Sequence, residues 1–137
     1  MEQDKVILNK QAIAAAQKYM GRFAWGTVGL VAVILAIFAG NLCLFAMGLM
    51  PLWAAFPIFA AVTYMSYTPV HEAVHGNIHG NHAAFKWVND LCGYLCAQII
   101  MVPYSTHKVE HFTHHRYTNH PDKDPEWREH ARKMIEW

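Results

Sequence analysis

Between Phe23 and His71 the chain carries no Asp, Glu, Lys or Arg. That stretch constrains the fold more than any other feature. An uninterrupted apolar run of about 18 residues is already enough for a transmembrane helix, and this one is long enough for two. A soluble domain of 137 residues has little use for so long a neutral segment. A cleaved signal peptide fits poorly as well, because the apolar part starts late, is too long, and lacks a small-residue cleavage site before polar sequence.

Punctuation within and around the run suggests where helices begin and end. Residues 1–22 mix Val6, Ile7, Ile13, Ala14 and Tyr19 with Lys5, Lys10, Lys18 and Arg22, the pattern of a short amphipathic helix with Asn9 as a candidate cap. A first span is predicted from about Arg22 to Gly40, ending at the polar pair Gly40-Asn41. A second runs from about Leu44 or Leu49 to Pro69, with Pro51 and Pro57 inside it or Pro51 at its start. Basic residues precede the first span and none lies in the 40–50 loop, so the positive-inside rule puts the N-terminus and the His71 region in the cytoplasm. Leu91 to Tyr104 is charge-free but too short to cross, which predicts a buried, re-entrant or interfacial helix. Thr106 to Arg116 reads as a helix, Asn119-His120-Pro121-Asp122 as a turn, and Pro125 as the start of a final helix. The expected fold is thus all-α and integral to the membrane: 1–22 amphipathic, 22–70 a two-helix transmembrane hairpin, and 71–137 a cytoplasm-facing region with an interfacial or re-entrant helix and His-bearing helices, all in one domain.

The net charge of +1 leaves no electrostatic footprint for nucleic acid. Cys43, Cys92 and Cys96 are odd in number and form no CxxC. They are expected to be reduced packing residues, in keeping with a cytoplasm-facing protein.

All ten histidines follow the apolar run. His71 and His75 are one helical turn apart, and His107, His111, His114 and His115 recur at i, i+4, i+7 and i+8. Each cluster can therefore aim several imidazoles at one point. If all these rings were protonated they would repel one another. Binding of neutral rings to a metal removes that conflict, and imidazole suits iron, zinc, copper and nickel. His71-Glu72-Ala73-Val74-His75 alone also satisfies HExxH, which would make a membrane zinc metalloprotease with Glu72 as general base. That reading leaves most of the second cluster unused. A non-enzymatic membrane metal-binding or metal-sensing protein is a third possibility.

Taken together, HxxxH at 71–75 and HxxHH at 111–115, followed by Asp122-Lys-Asp124-Pro125-Glu126, resemble the first two histidine boxes of the integral-membrane fatty acid desaturase and hydroxylase superfamily over roughly residues 22–130. The resemblance implies a non-haem centre of two iron ions, with dioxygen as co-substrate. It implies His71, His75, His111, His114 and His115 as metal ligands and His107 as a further candidate. It also implies desaturation or hydroxylation of a fatty acyl or related lipid chain, and an electron donor such as a ferredoxin or cytochrome b5-type protein. His79 and His82 are expected outside the metal's immediate ligands, His120 and His130 in local packing. Glu72 would orient a ligand ring through its other nitrogen, and Asp122 and Asp124 would do likewise or cap the final helix. Members of this superfamily normally add a third box. None occurs in these 137 residues, so the chain is expected to be the N-terminal portion of a larger protein, incomplete as a catalyst.

Overall fold

The computed structural model describes residues 2–17 and 19–127, and among them every regular element is helical. α1 spans Glu2–Gln17, α2 Trp25–Ala46, α3 Leu52–Val74, α4 Lys86–Ile99 and α5 Tyr104–Tyr117, with a single 3₁₀ turn over Ala83–Phe85. His130, and all of the final helix expected from Pro125 that follows Trp127, lie outside the described residues.

α1 forms, but Asn9 sits inside it rather than capping it, and its apolar side chains do not gather on one face. Val6, Ile7 and Leu8 are successive and all at least half exposed; at 100° per residue three successive side chains wrap most of a helix. The amphipathic expectation for this segment is therefore not met.

α2 runs six residues past Gly40, the predicted stop. The reason is Asn41: its side-chain amide is buried and donates to the Ala55 carbonyl of α3 at 3.0 Å, so a polar residue read as a turn is instead a bridge between helices. The helix stops at Met47, where the Gly48 and Leu49 N–H groups turn back to Phe45 and Leu44 carbonyls at 3.0 and 2.9 Å, a Schellman closure. Pro51 then caps α3. The contact between Phe38 and Phe59 continues the antiparallel register set by Asn41 and Ala55, and Val31 and Val70 both join the core further along.

At 1.5 Å per residue, the 22 residues of α2 reach about 33 Å, enough to cross a hydrocarbon layer of about 30 Å. Its Val33, Ile37, Leu42, Leu44 and Phe45 are exposed, and it is the one described helix long and apolar enough to span. The two-span expectation is met only that far. α3 has the length, with 23 residues, but Thr63, Tyr64, Ser66, Tyr67, Thr68 and two prolines dilute its hydropathy. Cys43 also departs from expectation: it is exposed on α2, whereas Cys92 and Cys96 are buried packing residues; all three thiols are free.

The core lies beside the C-terminal end of α3, where Val70, Ala73, Val74 and Ile78 meet Cys92, Cys96 and Ala97 of α4 and Tyr104 of α5. Burying Val70, Val74 and Ile78, each at most 1% exposed, contributes about 1.5–3 kcal/mol apiece. Asn89 of α4 adds a buried hydrogen bond to the Ala73 carbonyl at 2.9 Å. α3 ends as α2 does: Gly76, with φ +73°, takes the left-handed position, and Gly76 and Asn77 N–H groups bond to Ala73 and Glu72 carbonyls. The turns that follow double back on the start of α2. The Ala24 N–H donates to Ile78 and the Asn81 N–H to Gly21, both at 2.9 Å. Residues 71–82 and the N-terminal end of α2 therefore occupy the same end of the molecule.

Candidate metal centre

The last turn of α3 and the middle of α5 face each other across this end of the fold. The buried face of α3 is Val70, Ala73 and Val74. His71 and His75 lie on the adjoining face, one above the other. From α5, His111 and His115 point back at them. One nitrogen from each of these four rings lies within 4.8 Å of all the others. His111 is central: its Nε2 is 2.9 Å from His75 Nε2 and 3.0 Å from His115 Nε2, and its ring centroid is 4.7 Å from that of His71.

Of the residues singled out by their spacing, the structure thus brings together His71, His75, His111 and His115. It places His107 and His114 outside that group. On a helix, residues 107 and 114 lie about 60° and 80° round from the mean direction of 111 and 115, and with 111 and 115 turned to α3 the other two fall to one side. His107 turns towards Tyr67, with centroids 6.1 Å apart, and its Nε2 is buried without a hydrogen-bond partner. His114 turns its Nδ1 to Asp124 Oδ1 at 2.8 Å. His79 packs against Gly76, and His82 stacks edge-on with Phe23 and Phe85 away from the cluster. His120 lies by Tyr117.

The carboxylates are distributed unevenly. Glu72 Oε1 is 3.9 Å from His71 Nδ1, too far for a hydrogen bond, and its Oε2 instead accepts from Asn77 at 3.0 Å. Asp124 is engaged with His114. Asp122 has only its backbone N–H in a local bond, to His120. Glu126, named from sequence only in the segment that trails the second box, approaches His114 Nδ1 at 3.5 Å and His111 Nδ1 at 3.7 Å. No helical spacing flags Glu126, because a turn separates it from α5.

The electrostatics favour neutral rings. Burial pushes the His111 pKa down to about 4, and the neighbouring rings of His71, His115, His75 and His107 push the same way. His75 is lowered too, by burial first and then by His71 and His115, with Glu72 opposing. Burial works to raise the Asp124 pKa, yet the bonds from His114 and from the Asn119 and Glu126 N–H groups outweigh it and hold the group below its ordinary value.

This donor set fits a metal ion. Metal–imidazole bonds of about 2.0–2.1 Å place two nitrogens at right angles about 3 Å apart, the spacing His111 keeps to both His75 and His115. Without an ion, His111 Nε2 must share hydrogen bonds with two rings while its Nδ1 stays buried and unpartnered. Histidine nitrogens suit iron as well as zinc.

Among the described residues, one helix is long and apolar enough to cross a membrane, and four histidines lie close enough together to hold a metal ion. Comparison makes the class specific. The profile of the fatty acid desaturase family matches residues 47–137, and the chain belongs to that family. It is 35% identical over 75 residues to an sn-1 acyl-lipid omega-3 desaturase (ferredoxin) of Nostoc sp., covering 55% of this chain and 21% of the relative. It is 29% identical over 106 residues to a probable fatty acid desaturase of Sorghum bicolor, covering 77% and 26%. An sn-1 oleoyl-lipid 12-desaturase of Anabaena variabilis is 31% identical over 75 residues, 55% and 21% of the two chains. The chain therefore spans about a fifth to a quarter of the length of these relatives. No solved structure matches it.

Proposed function

We propose that this chain supplies half or more of the first iron-binding shell of a membrane desaturase that removes two hydrogens from adjacent carbons of a lipid acyl chain. One observation carries the reading: histidines from both boxes, 40 residues apart in sequence, converge within 4.8 Å. Bound iron would supply the oxidising power, using dioxygen and two external electrons. The protein's residues do the rest. His71, His75, His111 and His115 present neutral nitrogens. The packed ends of α3 and α4 keep those rings at fixed spacing. α2, with α3 as a second span, holds the site at the membrane surface, where an acyl chain is available, and α4 is too short to cross and lies at that surface. The basic N-terminal residues Lys5, Lys10, Lys18 and Arg22 favour the cytoplasm for that end. Two irons need more donors than four imidazoles. His114 and His107 are the next candidates, with further ligands from outside these residues. The ferredoxin named for the Nostoc relative is the kind of electron donor expected.

The test is elemental analysis of the purified chain after expression with iron and zinc both present, beside His75→Ala and His111→Ala. Iron bound in the parent and lost in both variants, with oxygen-dependent appearance of double bonds in acyl lipids when reduced ferredoxin is supplied to the full-length protein, is the expected result. Zinc in place of iron, with peptide hydrolysis that disappears in Glu72→Gln, would overturn it.

A further inference from the structure

His114 belongs to the second box by sequence, yet it stands apart from the four converging rings. What holds it there is well defined. The Asp124 side chain is fully buried, and its Oδ1 lies 2.8 Å from His114 Nδ1. Oδ1 also accepts the Glu126 N–H at 2.9 Å, and Oδ2 accepts the Asn119 N–H at 2.9 Å. Asn119, at φ +64°, reverses the chain so that residue 124 returns to the flank of α5. Among the described residues Glu126 is the other carboxylate nearby, and at 3.5 Å from His114 Nδ1 and 3.7 Å from His111 Nδ1 it is not within good hydrogen-bond range of either.

We infer that Asp124 is a positioning residue: it fixes the ring of His114 and keeps the proton on Nδ1, leaving Nε2 as the nitrogen able to bind metal. An ionised carboxylate only accepts hydrogen bonds, so a ring nitrogen 2.8 Å away must donate. A neutral imidazole protonated at Nδ1 has its lone pair on Nε2. Pairing of the outer ring nitrogen with a carboxylate is how ligating histidines are held and made more basic. His114 is thus prepared as a ligand for an ion beside the four-histidine group rather than within it, which a centre of two ions requires. The same carboxylate ties residues 119–126 to α5, so the trailing segment and the ring are set by one group.

The metal-binding part of this inference rests on the reading proposed above; the proton's position does not. It is read directly by long-range ¹H–¹⁵N correlation of the histidine rings in the metal-free chain, at a pH where they are neutral. His114 should be Nδ1-protonated. In Asp124→Asn the amide oxygen keeps the Asn119 N–H while the NH₂, in the place of Oδ1, faces the ring and gives up the Glu126 N–H, and the proton should move to Nε2. Metal affinity should then fall about 10–100-fold, with partial recovery in Asp124→Glu. A wild-type His114 protonated on Nε2 would overturn the assignment without recourse to any variant. So would a tautomer, and an affinity, unchanged in a folded Asp124→Asn protein. If His114 is Nδ1-protonated and the tautomer responds to Asp124→Asn, but the wild-type chain binds no metal, the metal-centre reading fails while Asp124 remains the residue that orients the ring.

Discussion

α3 and α5 each give two histidines to the cluster, but they hold them by different means. α3 is fixed by packing. Val70 and Ala73 are wholly buried beneath His71 and His75, and the turn after the helix is pinned to the start of α2. No side-chain hydrogen bond to a carboxylate orients its rings. α5 is thinly packed, with only Tyr104 and His111 buried. Its histidines are set instead by polar contacts, to one another and to the 119–126 segment. One wall of the site rests on a buried apolar layer; the other depends on charge and protonation. Steric insults should therefore damage the α3 side most, and pH should act chiefly through α5.

The largest effect is expected from Gly80→Val. Gly80 has φ +52°, and a Cβ there would sit 2.5 Å from the Gly21 carbonyl oxygen and 2.7 Å from that of Arg22, both backbone atoms that cannot swing aside. A left-handed β-branched residue costs about 1–3 kcal/mol and the overlap about as much again. Denaturant or thermal unfolding in detergent should show a loss of roughly 2–6 kcal/mol, together with weaker metal binding as residues 71–82 separate from α2. A variant as stable as the parent would mean that packing against Gly21 does not hold this wall.

Acid should act next, and on the other wall. Folded His111 has a pKa of about 4 against an ordinary 6.5. Between those values the unfolded chain binds more protons than the folded one, so stability rises with pH across the window. Metal-free protein should be most stable above pH 6.5 and should lose stability progressively from there towards pH 4, with His75 adding to the same loss. Asp124 has the opposite relation between charge and folding: its lowered pKa stabilises the fold above the ordinary 3.8, and that contribution is lost only at lower pH. His111→Gln should flatten the upper step and leave the lower. Melting temperatures that do not change between pH 7 and 5 would show that the His111 environment is far wetter than its burial implies.

How much of this was legible beforehand follows the same division. The helical class, α5 and the pairing of 71 with 75 and of 111 with 115 on one helix face are written in local spacing, because period and apolar length are properties of short windows. Two other features were not. Asn41 looked like a turn because the sequence gives no hint that a carbonyl of α3, 14 residues on, awaits its amide. The divergence of His107 and His114 depends on which way α5 rolls against α3, and Glu126 reaches the ring side through a turn whose path is tertiary. The second spanning helix was inferred from the absence of charge, whereas hydropathy also weighs the hydroxyls and prolines that α3 carries.

Asn41 supplies the smallest effect and the cleanest control on the comparison. Its bond to Ala55 lies at the far end of the hairpin from the histidines, next to the 47–51 turn. Inside a bilayer such an interhelical hydrogen bond is worth about 0.6 kcal/mol on average, because the separated helices find other partners for the same groups. Asn41→Leu restores apolar bulk but leaves one Asn41 carbonyl oxygen fewer to bury, an atom that has no partner in any case. The net change should be no more than about 1 kcal/mol, measured by unfolding in detergent, and metal binding should not change. If metal affinity instead falls with Asn41→Leu, then the whole length of α3 sets the position of His71 and His75, and the packing that matters is not confined to the core beneath them.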